Sequence, residues 1–279
     1  MSGRQLDPPT LIASDVDGTL IDDHNQITPA TRDALVRAAD VGVELVLSTG
    51  RPPRWIPEIA DQLVGTPAAV RYAVCANGAI IYDVRGDAVL FAAELAPDVL
   101  ETLRTVCTEL VPGCGLAAER AGRVAHDAAT PSFVATAGYE HAWLNPDHVE
   151  VADRHLTELP AVKLLARKPG MSSHEMAALI TPHIADLAEV TFSIDTGLVE
   201  LSVPGVHKAS GLQWLIDNTD VAGSAVIAFG DMPNDAEMLR WATHGVAMGN
   251  GDPVAIAAAD EVAGTNADDG VARVLERWF

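Results

Sequence analysis

Short apolar runs alternate with helical patterns at the start of the chain. Residues 10–16, 43–48 and 72–75 are rich in Val, Leu, Ile and Ala, which is typical of strands buried on both faces of a sheet. Between the first two runs, Thr28 is suited to cap a helix and Pro29 to occupy its first turn. This order of strand, helix and strand predicts a parallel βαβ unit.

The same alternation returns near the C-terminus, whereas the middle of the chain has a different pattern. From residue 203 onward, helical segments flank the apolar run "SAVIAFGD". Residues 85–202 instead combine helical patterns with alternating segments that are typical of half-exposed antiparallel strands. We therefore predict a doubly wound, Rossmann-like α/β core domain over 1–84 and 203–279, with a parallel sheet. An inserted α+β domain is predicted over 85–202.

Composition narrows the possible partners. The chain has 279 residues and a formal net charge of −21, from 39 acidic and 18 basic residues, with no cluster of Lys and Arg. This charge disfavours nucleic-acid binding through a basic patch. No apolar run approaches the ~20 residues needed to span a bilayer. We therefore expect no nucleic-acid or membrane partner, and the oligomeric state is left open.

Cysteine usage and the N-terminus bear on the compartment. Cys75, Cys107 and Cys114 form no C-x-x-C motif and leave an odd count, which is typical of a reduced, intracellular protein. The N-terminal segment "MSGRQLDPPT" lacks the apolar core of a signal peptide. These features predict a cytoplasmic protein and leave any role of the cysteines open.

Four polar groups follow predicted strands or open the helices after them. They are Asp15 with Asp17, the segment "STGR" at 48–51, Lys208, and the segment "GDMPND" at 230–235. Each alone has an ordinary explanation, such as a turn with side-chain hydrogen bonds or a capped helix start. Ligands of open α/β sheets, however, bind beyond the carboxyl ends of the strands. We expect all four groups at that edge.

These motifs resemble those of the haloacid dehalogenase-like hydrolases. The matching segments are "DVDGTL", "TGR", the lysine at 208 and "GDMPND", and the resemblance is close over 10–82 and 203–271. The insertion resembles the large α+β cap of the Cof-type sugar-phosphatase branch. The resemblance implies a three-layer α/β/α core with a cap domain, and a hydrolase that acts on phosphomonoesters.

In this interpretation the carboxylates of Asp15, Asp231 and Asp235 would surround the phosphate of the substrate, and they would require positive charge nearby. A phosphomonoester carries about two negative charges near neutral pH. Each pair of like charges ~4 Å apart costs about 4 kcal/mol at an effective dielectric constant near 20. Hard oxygen ligands favour Mg²⁺ over zinc. The resemblance implies that the Asp15 carboxylate, the Asp17 backbone carbonyl and Asp231 bind this ion.

The resemblance also implies catalytic roles. Asp15 would be the nucleophile that forms an aspartyl-phosphate intermediate. Asp17 would protonate the leaving alkoxide and then deprotonate the hydrolytic water. Lys208 would stabilise the charge of the transition state.

Further residues are implied around the phosphate. Thr49, Gly50 and Asn234, together with Lys208, would bind the phosphoryl oxygens. Asp235 would orient Lys208 or a metal-bound water rather than touch the metal.

The expected activity is that of a Mg²⁺-dependent phosphatase on a small phosphorylated metabolite, with sugar phosphates as the default substrates. A phosphomutase with the same aspartate and metal is one alternative, and a non-catalytic binding protein on the same scaffold is another. Phosphate release distinguishes the phosphatase from the mutase. The presence of both Asp15 and Asp17 favours catalysis over binding alone.

Outside these motifs the sequence offers weaker signals. Arg120, His126 and Lys163 in the insertion are candidates to face the site, but we expect them on the surface because such side chains are seldom buried. Asn77-Gly78 is typical of a hairpin turn. Arg51 is expected to have a secondary role, reaching substrate or pairing with an acid.

Overall fold

The computed structural model describes residues 7–141, 148–184, 186–192 and 194–279. Residues 1–6, which are part of the polar N-terminal segment, lie outside this description. The strands of the described residues are β1 (Leu11–Ser14), β2 (Glu44–Ser48), β3 (Tyr72–Cys75), β4 (Ile80–Asp83), β5 (Ala88–Ala92), β6 (Gly115–Glu119), β7 (Phe133–Thr136), β8 (His148–Val151), β9 (Lys163–Arg167), β10 (Glu189–Thr191), β11 (Leu198–Ser202), β12 (Val226–Gly230), β13 (His244–Ala247) and β14 (Glu261–Val262).

The helices are of very different lengths. None of the described helices is both long and apolar enough to cross a membrane. They are α1 (Pro29–Asp40), α2 (Pro57–Ala60), α3 (Pro97–Leu110), α4 (Asp153–Leu156), α5 (Ser173–Ile184), α6 (Lys208–Asn218), α7 (Ala236–Trp241), α8 (Pro253–Ala258) and α9 (Gly270–Leu275).

The first sheet has eight strands in the order β14-β13-β12-β1-β2-β3-β4-β5. Neighbours are parallel from β14 to β3, and β4 and β5 add an antiparallel edge. The three apolar runs at the start of the sequence form β1, β2 and β3, as predicted. Because β1, β2 and β12 are parallel, their carboxyl ends lie at the same edge of the sheet.

Helices cover both faces of this sheet, because its strands are apolar on both sides. Ile12 of β1 packs in one cluster with α1 and α9, whereas Leu11 and Ala13 pack in another with α6, α7 and α8. The side chain of Thr28 caps α1 by accepting a backbone hydrogen bond, as predicted. The predicted three-layer α/β/α core is confirmed.

The second sheet has six strands in the order β10-β11-β9-β6-β7-β8. Its pairings are antiparallel except for β7 with β8. Helices α3 and α5 pack on one face through residues such as Leu103 and Ile180. This unit is the predicted α+β insertion, and we refer to it as the cap.

The predicted boundaries of the cap, 85 and 202, stay a prediction. The six strands of the second sheet all lie between Gly115 and Ser202. The strand Ala88–Ala92, which falls inside 85–202, pairs with β4 in the first sheet.

Gly78 lies in the turn between β3 and β4, at a place where a side chain has no room. Its φ is +103°, and an added Cβ would clash with the carbonyl oxygen of His207, at the start of α6. We expect Gly78→Ala to lower the free energy of unfolding by ~3 kcal/mol, because the clash adds to a backbone cost of roughly 1–3 kcal/mol. Urea denaturation measures this loss.

Gly65→Ala is the matched control. Gly65 also has a positive φ, +79°, but nothing lies within 4 Å of an added Cβ. We expect this variant to lose only the backbone cost, ~1 kcal/mol. Equal losses in the two variants would contradict the close approach of the β3–β4 turn to α6.

Candidate active site

The carboxylates of Asp15, Asp231 and Asp235 meet at the carboxyl edge of the first sheet. Asp15 directly follows β1, Asp231 directly follows β12, and these strands are parallel neighbours. Asp235 ends a short helical turn over Pro233–Asp235. One carboxylate oxygen of each residue lies within 4.8 Å of the others, and all three residues are buried. Neighbouring parallel strands therefore bring together residues that are distant in the sequence.

Lys208 is the cation at the centre of this group. It is the first residue of α6 and only 1% exposed. Its Nζ donates hydrogen bonds of 2.6 Å to Asp15 Oδ1 and of 2.6 Å to Asp235 Oδ1. Burial alone would lower the pKa of Lys208, but the charges of Asp15 and Asp235 outweigh it and raise that pKa above its ordinary value. Lys208 is therefore a fixed positive charge.

Asp235 is held on its other side by backbone groups. Its Oδ2 accepts hydrogen bonds from the N–H groups of Asp231, at 3.0 Å, and Met232, at 2.9 Å. Both oxygens of Asp235 are thus engaged, one by Lys208 and one by its own turn. This geometry suits a residue that orients Lys208.

The carboxylates of Asp15 and Asp231 have less positive charge around them than they need to be fully ionised. Burial raises the pKa of Asp15 well above its ordinary value, with Lys208 opposing and the neighbouring acids adding to the shift. Burial and the charge of Asp235 raise the pKa of Asp231 to about 6. Three carboxylates face one ammonium group, and their hard oxygen atoms are a donor set that fits a divalent cation such as Mg²⁺.

The turn after β1 packs directly on Asp231. Thr19 Oγ1 donates a hydrogen bond of 3.0 Å to Asp231 Oδ1. Gly18 has a φ of +76°, and a Cβ there would clash with the same carboxylate. The glycine of the "DVDGTL" segment is therefore required both by its backbone conformation and by the close approach of Asp231.

Asp17 forms an ion pair with Arg51 at the rim of the site. Arg51 donates to both carboxylate oxygens, from Nε at 2.9 Å and from Nη2 at 2.7 Å. The Arg51 side chain is 11% exposed and that of Asp17 is 57% exposed. Arg51 also contacts Glu58 at 3.3 Å. The expectation that Arg51 pairs with an acid is confirmed.

Asn77 connects the two segments predicted to bind phosphate. Its Oδ1 accepts a hydrogen bond of 3.1 Å from Asn234 Nδ2, and the same oxygen lies 3.1 Å from where a Cβ on Gly50 would be. Thr49 is buried beside them, with its Oγ1 accepting from the Arg51 N–H at 3.1 Å. In the described part of the chain, the buried Oδ1 of Asn234 has no hydrogen-bond partner. Three of the four predicted phosphate-binding residues, Thr49, Gly50 and Asn234, therefore lie around Asn77, whose N–H also donates to the Thr49 carbonyl group at 3.0 Å.

The family model described as haloacid dehalogenase-like hydrolase matches residues 12–275. The chain belongs to this hydrolase family.

Similar proteins place this haloacid dehalogenase-like hydrolase among phosphatases. It is 31% identical over 279 residues to the 5-amino-6-(5-phospho-D-ribitylamino)uracil phosphatase YitU of Bacillus subtilis (strain 168), covering 97% of this chain and 98% of that protein. A haloacid dehalogenase-like hydrolase from Bacteroides thetaiotaomicron has 26% identity and a TM-score of 0.74, with 97% of this chain and 100% of that one covered. The predicted phosphatase-type hydrolase is confirmed.

The fold comparison agrees with the predicted core and cap. The subclass IIB sugar phosphatase BT4131 has a TM-score of 0.78 with 20% identity, over 96% of this chain and 98% of that chain. The resemblance to the Cof-type branch is confirmed, as is the Rossmann-like core with its cap.

The structure brings most of the predicted site residues of this hydrolase together in two adjoining groups. The roles assigned to them stay predictions. Asp15, Asp231, Asp235 and Lys208 form the charged group, whereas Thr49, Gly50 and Asn234 surround Asn77, and Asp17 lies against Arg51.

Two of the three polar residues considered in the cap of this hydrolase are buried, so the prediction that they lie on the surface is wrong. Arg120 and Lys163 are only 4% and 4% exposed, whereas His126 is exposed as expected. Lys163 is buried because Glu200 supplies a counter-charge, at 3.0 Å. Arg120 is buried because backbone carbonyl groups, including that of His155 at 2.8 Å, accept its hydrogen bonds.

Sequence reasoning also missed polar residues that lie between the core and the cap of this hydrolase. The predicted hairpin turn at Asn77-Gly78 is confirmed, but its wider contacts were not expected, since Asn77 Nδ2 also donates to Glu200 of the cap at 3.1 Å. Arg54 and Glu119 form a buried, two-bond ion pair, at 2.6 and 3.1 Å. No local motif marks these residues; their partners come from distant segments.

Removal of the ammonium group of Lys208 would leave Asp15 and Asp235 without their counter-charge. Breaking a buried ion pair from one side costs about 3–5 kcal/mol, so we expect Lys208→Met to lower the free energy of unfolding by about 3 kcal/mol. Urea denaturation in the presence of EDTA measures this loss. The double variant Lys208→Met/Asp235→Asn is expected to recover ~1 kcal/mol or more, because the amide needs no cation. A double variant no more stable than Lys208→Met would contradict the pairing.

Proposed function

We propose that this hydrolase is a Mg²⁺-dependent phosphatase of a small phosphorylated metabolite and works through an aspartyl-phosphate on Asp15. The observation that carries this proposal is the buried contact of Lys208 with Asp15 and Asp235, next to Asp231. In this proposal Asp15 is the nucleophile, Lys208 is a fixed cation and Asp231 is a metal-binding acid, all at one point of the sheet edge. These are the roles that phosphoryl transfer requires.

Asp15 and Asp231, with the backbone carbonyl of Asp17, would hold Mg²⁺. Their oxygen donors and the shortage of positive charge around them fit that ion. When bound, the ion neutralises charge on the phosphoryl group and on the carboxylates around it. Asp235, whose two oxygens are already engaged, positions Lys208 instead.

The reaction consists of two transfers at Asp15. A carboxylate oxygen of Asp15 attacks phosphorus, and the bond to the leaving oxygen breaks as Asp17, which has left Arg51 and taken up a proton, gives that proton to the leaving oxygen. Asp17 then takes a proton from the water that attacks the aspartyl-phosphate, which releases inorganic phosphate and restores Asp15. Lys208 stabilises the charge on the phosphoryl oxygens in both steps.

Thr49, Gly50 and Asn234 would bind the phosphoryl oxygens during both transfers. The position of Asn77 beside Gly50 and Asn234 supports this assignment. The unpartnered Oδ1 of Asn234, among the described residues, is open to a donor from the substrate or from a bound water. Arg51 holds the Asp17 carboxylate through two hydrogen bonds, and this ion pair opens when Asp17 takes up the proton that it gives to the leaving group.

The names of similar proteins favour a phosphatase over a mutase or a binding protein. YitU is named for the hydrolysis of a phosphorylated ribitylamino-uracil. We propose a phosphorylated metabolite of this general kind, a sugar or polyol phosphate with or without a ring, as the substrate. We also propose a cytoplasmic location, which is supported by the three free cysteines.

Release of inorganic phosphate from a panel of phosphorylated metabolites tests the proposal directly. The panel includes sugar phosphates, polyol phosphates and 5-amino-6-(5-phospho-D-ribitylamino)uracil. We expect release in the presence of Mg²⁺ and none with EDTA. Asp15→Asn should lose at least ~10³-fold in kcat because the nucleophile is gone.

Asp33→Asn is the matched control, since Asp33 is an exposed acid on α1. It should retain full activity and the same circular dichroism spectrum as Asp15→Asn. Near-normal turnover by Asp15→Asn would contradict the nucleophile assignment. Movement of phosphate between two positions of a hexose, without net release, would favour the mutase.

Binding of Mg²⁺ should stabilise the protein more at neutral than at acidic pH. The pKa of Asp231 is raised to about 6 in the folded state, against roughly 4 in an unfolded chain. The metal-free fold therefore loses stability as the pH rises through this window, because the folded state binds the extra proton. We expect Mg²⁺ to raise Tm more at about pH 7.5 than at about pH 5, where the proton competes with the ion.

Differential scanning fluorimetry with Mg²⁺ and with EDTA at each pH measures the effect. Asp231→Asn should abolish the Mg²⁺-dependent rise at both values of pH. Equal rises at the two values in the unmodified protein would contradict a metal site that contains Asp231.

A further inference from the structure

The face of the cap sheet opposite α3 and α5 carries three buried charged residues. Glu119 on β6 pairs in register with Lys163 on β9, and Glu200 on β11 pairs with Leu165 on β9. Because side chains alternate between the two faces of a strand, these four residues lie on one face. Leu165 belongs to a small apolar cluster that also contains Phe133. The face therefore combines an apolar patch with a buried charged border.

The charged border contacts the core beside the proposed phosphate site. Glu200 Oε2 accepts hydrogen bonds from Lys163 Nζ at 3.0 Å and from Asn77 Nδ2 at 3.1 Å. Asn77 in turn accepts from Asn234 at 3.1 Å. A continuous chain of hydrogen bonds thus connects a residue proposed to bind phosphate with an ion pair of the cap. Among the described residues, Oε1 of Glu200 accepts no hydrogen bond.

A small cavity lies between the phosphate site and these cap residues. Its volume is about 30 Å³, and its lining includes Gly50, Trp55, Glu119, Lys163 and Glu200. Such a space holds one or two water molecules. The cap and the core must therefore separate to admit the rest of a substrate. The contacts from Asn77 to Glu200 and from Arg54 to Glu119 are then the ones that open.

We infer that Glu200, with Lys163 and Glu119, selects the leaving group of the substrate, and that it selects a neutral group rich in hydroxyl or N–H donors. This inference rests on the proposed phosphatase function. A buried carboxylate that loses its core partner on opening is costly unless a new donor replaces that partner. Hydroxyl and N–H groups of the leaving group supply such donors to Glu119 and Glu200.

The same residues reject a leaving group that carries a second negative charge. A carboxylate placed in the cavity would face Glu119 and Glu200. Both residues are buried, with exposed fractions of 7% for Glu119 and 4% for Glu200. The two positive charges beside these acids, on Lys163 and Arg54, are already paired with Glu200 and Glu119. Repulsion between like charges in a poorly hydrated space makes this discrimination strong.

Sorbitol 6-phosphate and 6-phosphogluconate form a matched pair for the test. Both are linear six-carbon polyol phosphates, and they differ in whether the far end is a hydroxymethyl group or a carboxylate. We expect kcat/KM for the neutral compound to exceed that for the anionic one by at least tenfold, which corresponds to about 1.4 kcal/mol.

Glu200→Gln tests whether the cap ion pair is the cause. This variant keeps the size of the side chain and frees the charge of Lys163, so it should improve hydrolysis of 6-phosphogluconate and lower the preference at least tenfold. Glu200→Gln should keep the circular dichroism spectrum and the cooperative unfolding transition of the unmodified protein, which a general loss of structure would not allow. Glu109→Gln is the matched control, because Glu109 is exposed on α3, on the helical side of the cap sheet. It should keep the original preference.

Several outcomes would overturn the inference. They are an equal rate on the two polyol phosphates, an unchanged preference in Glu200→Gln, and hydrolysis of p-nitrophenyl phosphate with neither polyol phosphate accepted. Absence of phosphate release from every compound in the presence of Mg²⁺ would instead contradict the proposed phosphatase function itself.

Discussion

The burial of one lysine between two aspartates is the interaction on which the site depends. Lys208 lies at the start of α6, Asp15 at the end of β1, and Asp235 in the turn after β12. A buried ammonium group is tolerated only where paired charges and good geometry compensate for lost hydration. The pairing therefore joins three segments of the first sheet and its helices at the carboxyl edge of that sheet, where we propose that the chemistry takes place. The tight turns at Gly18 and Gly78 serve the same purpose, because each lets the backbone approach this group closely.

The negative charge that Lys208 does not neutralise indicates that the site needs a further cation. Burial, with a smaller contribution from the neighbouring acids, raises the pKa values of Asp15 and Asp231, because one ammonium group does not offset three carboxylates in a poorly hydrated place. In the proposed function, a divalent cation and a phosphoryl group would offset each other's charge there.

Core and cap divide the work of this haloacid dehalogenase-like hydrolase. The first sheet places three aspartates at its carboxyl edge, whereas the cap covers that edge with a sheet face that carries both acidic and basic residues. The two are linked through Asn77, which touches Asn234 of the core and Glu200 of the cap. Asn77 thereby connects a residue proposed to bind phosphate with the cap, in addition to the ion pair of Arg54 with Glu119.

The sequence by itself determined the class of fold and the residues of the charged group. Buried parallel strands, helix caps and turns are local patterns, and the motifs with Asp15, Lys208 and Asp231 sit at the ends of such elements. Asp235 could likewise be assigned to orient Lys208, and its contacts fit that role. These features depend on neighbours in the chain and on the general rule for where parallel sheets bind ligands.

Only the tertiary structure decided which cap residues face the core. Lys163 and Arg120 were expected at the surface, because an isolated charged side chain is seldom buried. Their partners come from other segments, Glu200 for Lys163 and backbone carbonyls for Arg120. Asn77 looked like an ordinary turn residue for the same reason. A charge is buried or exposed according to what lies opposite it, and that is set by strand pairing and domain contact rather than by the adjacent sequence.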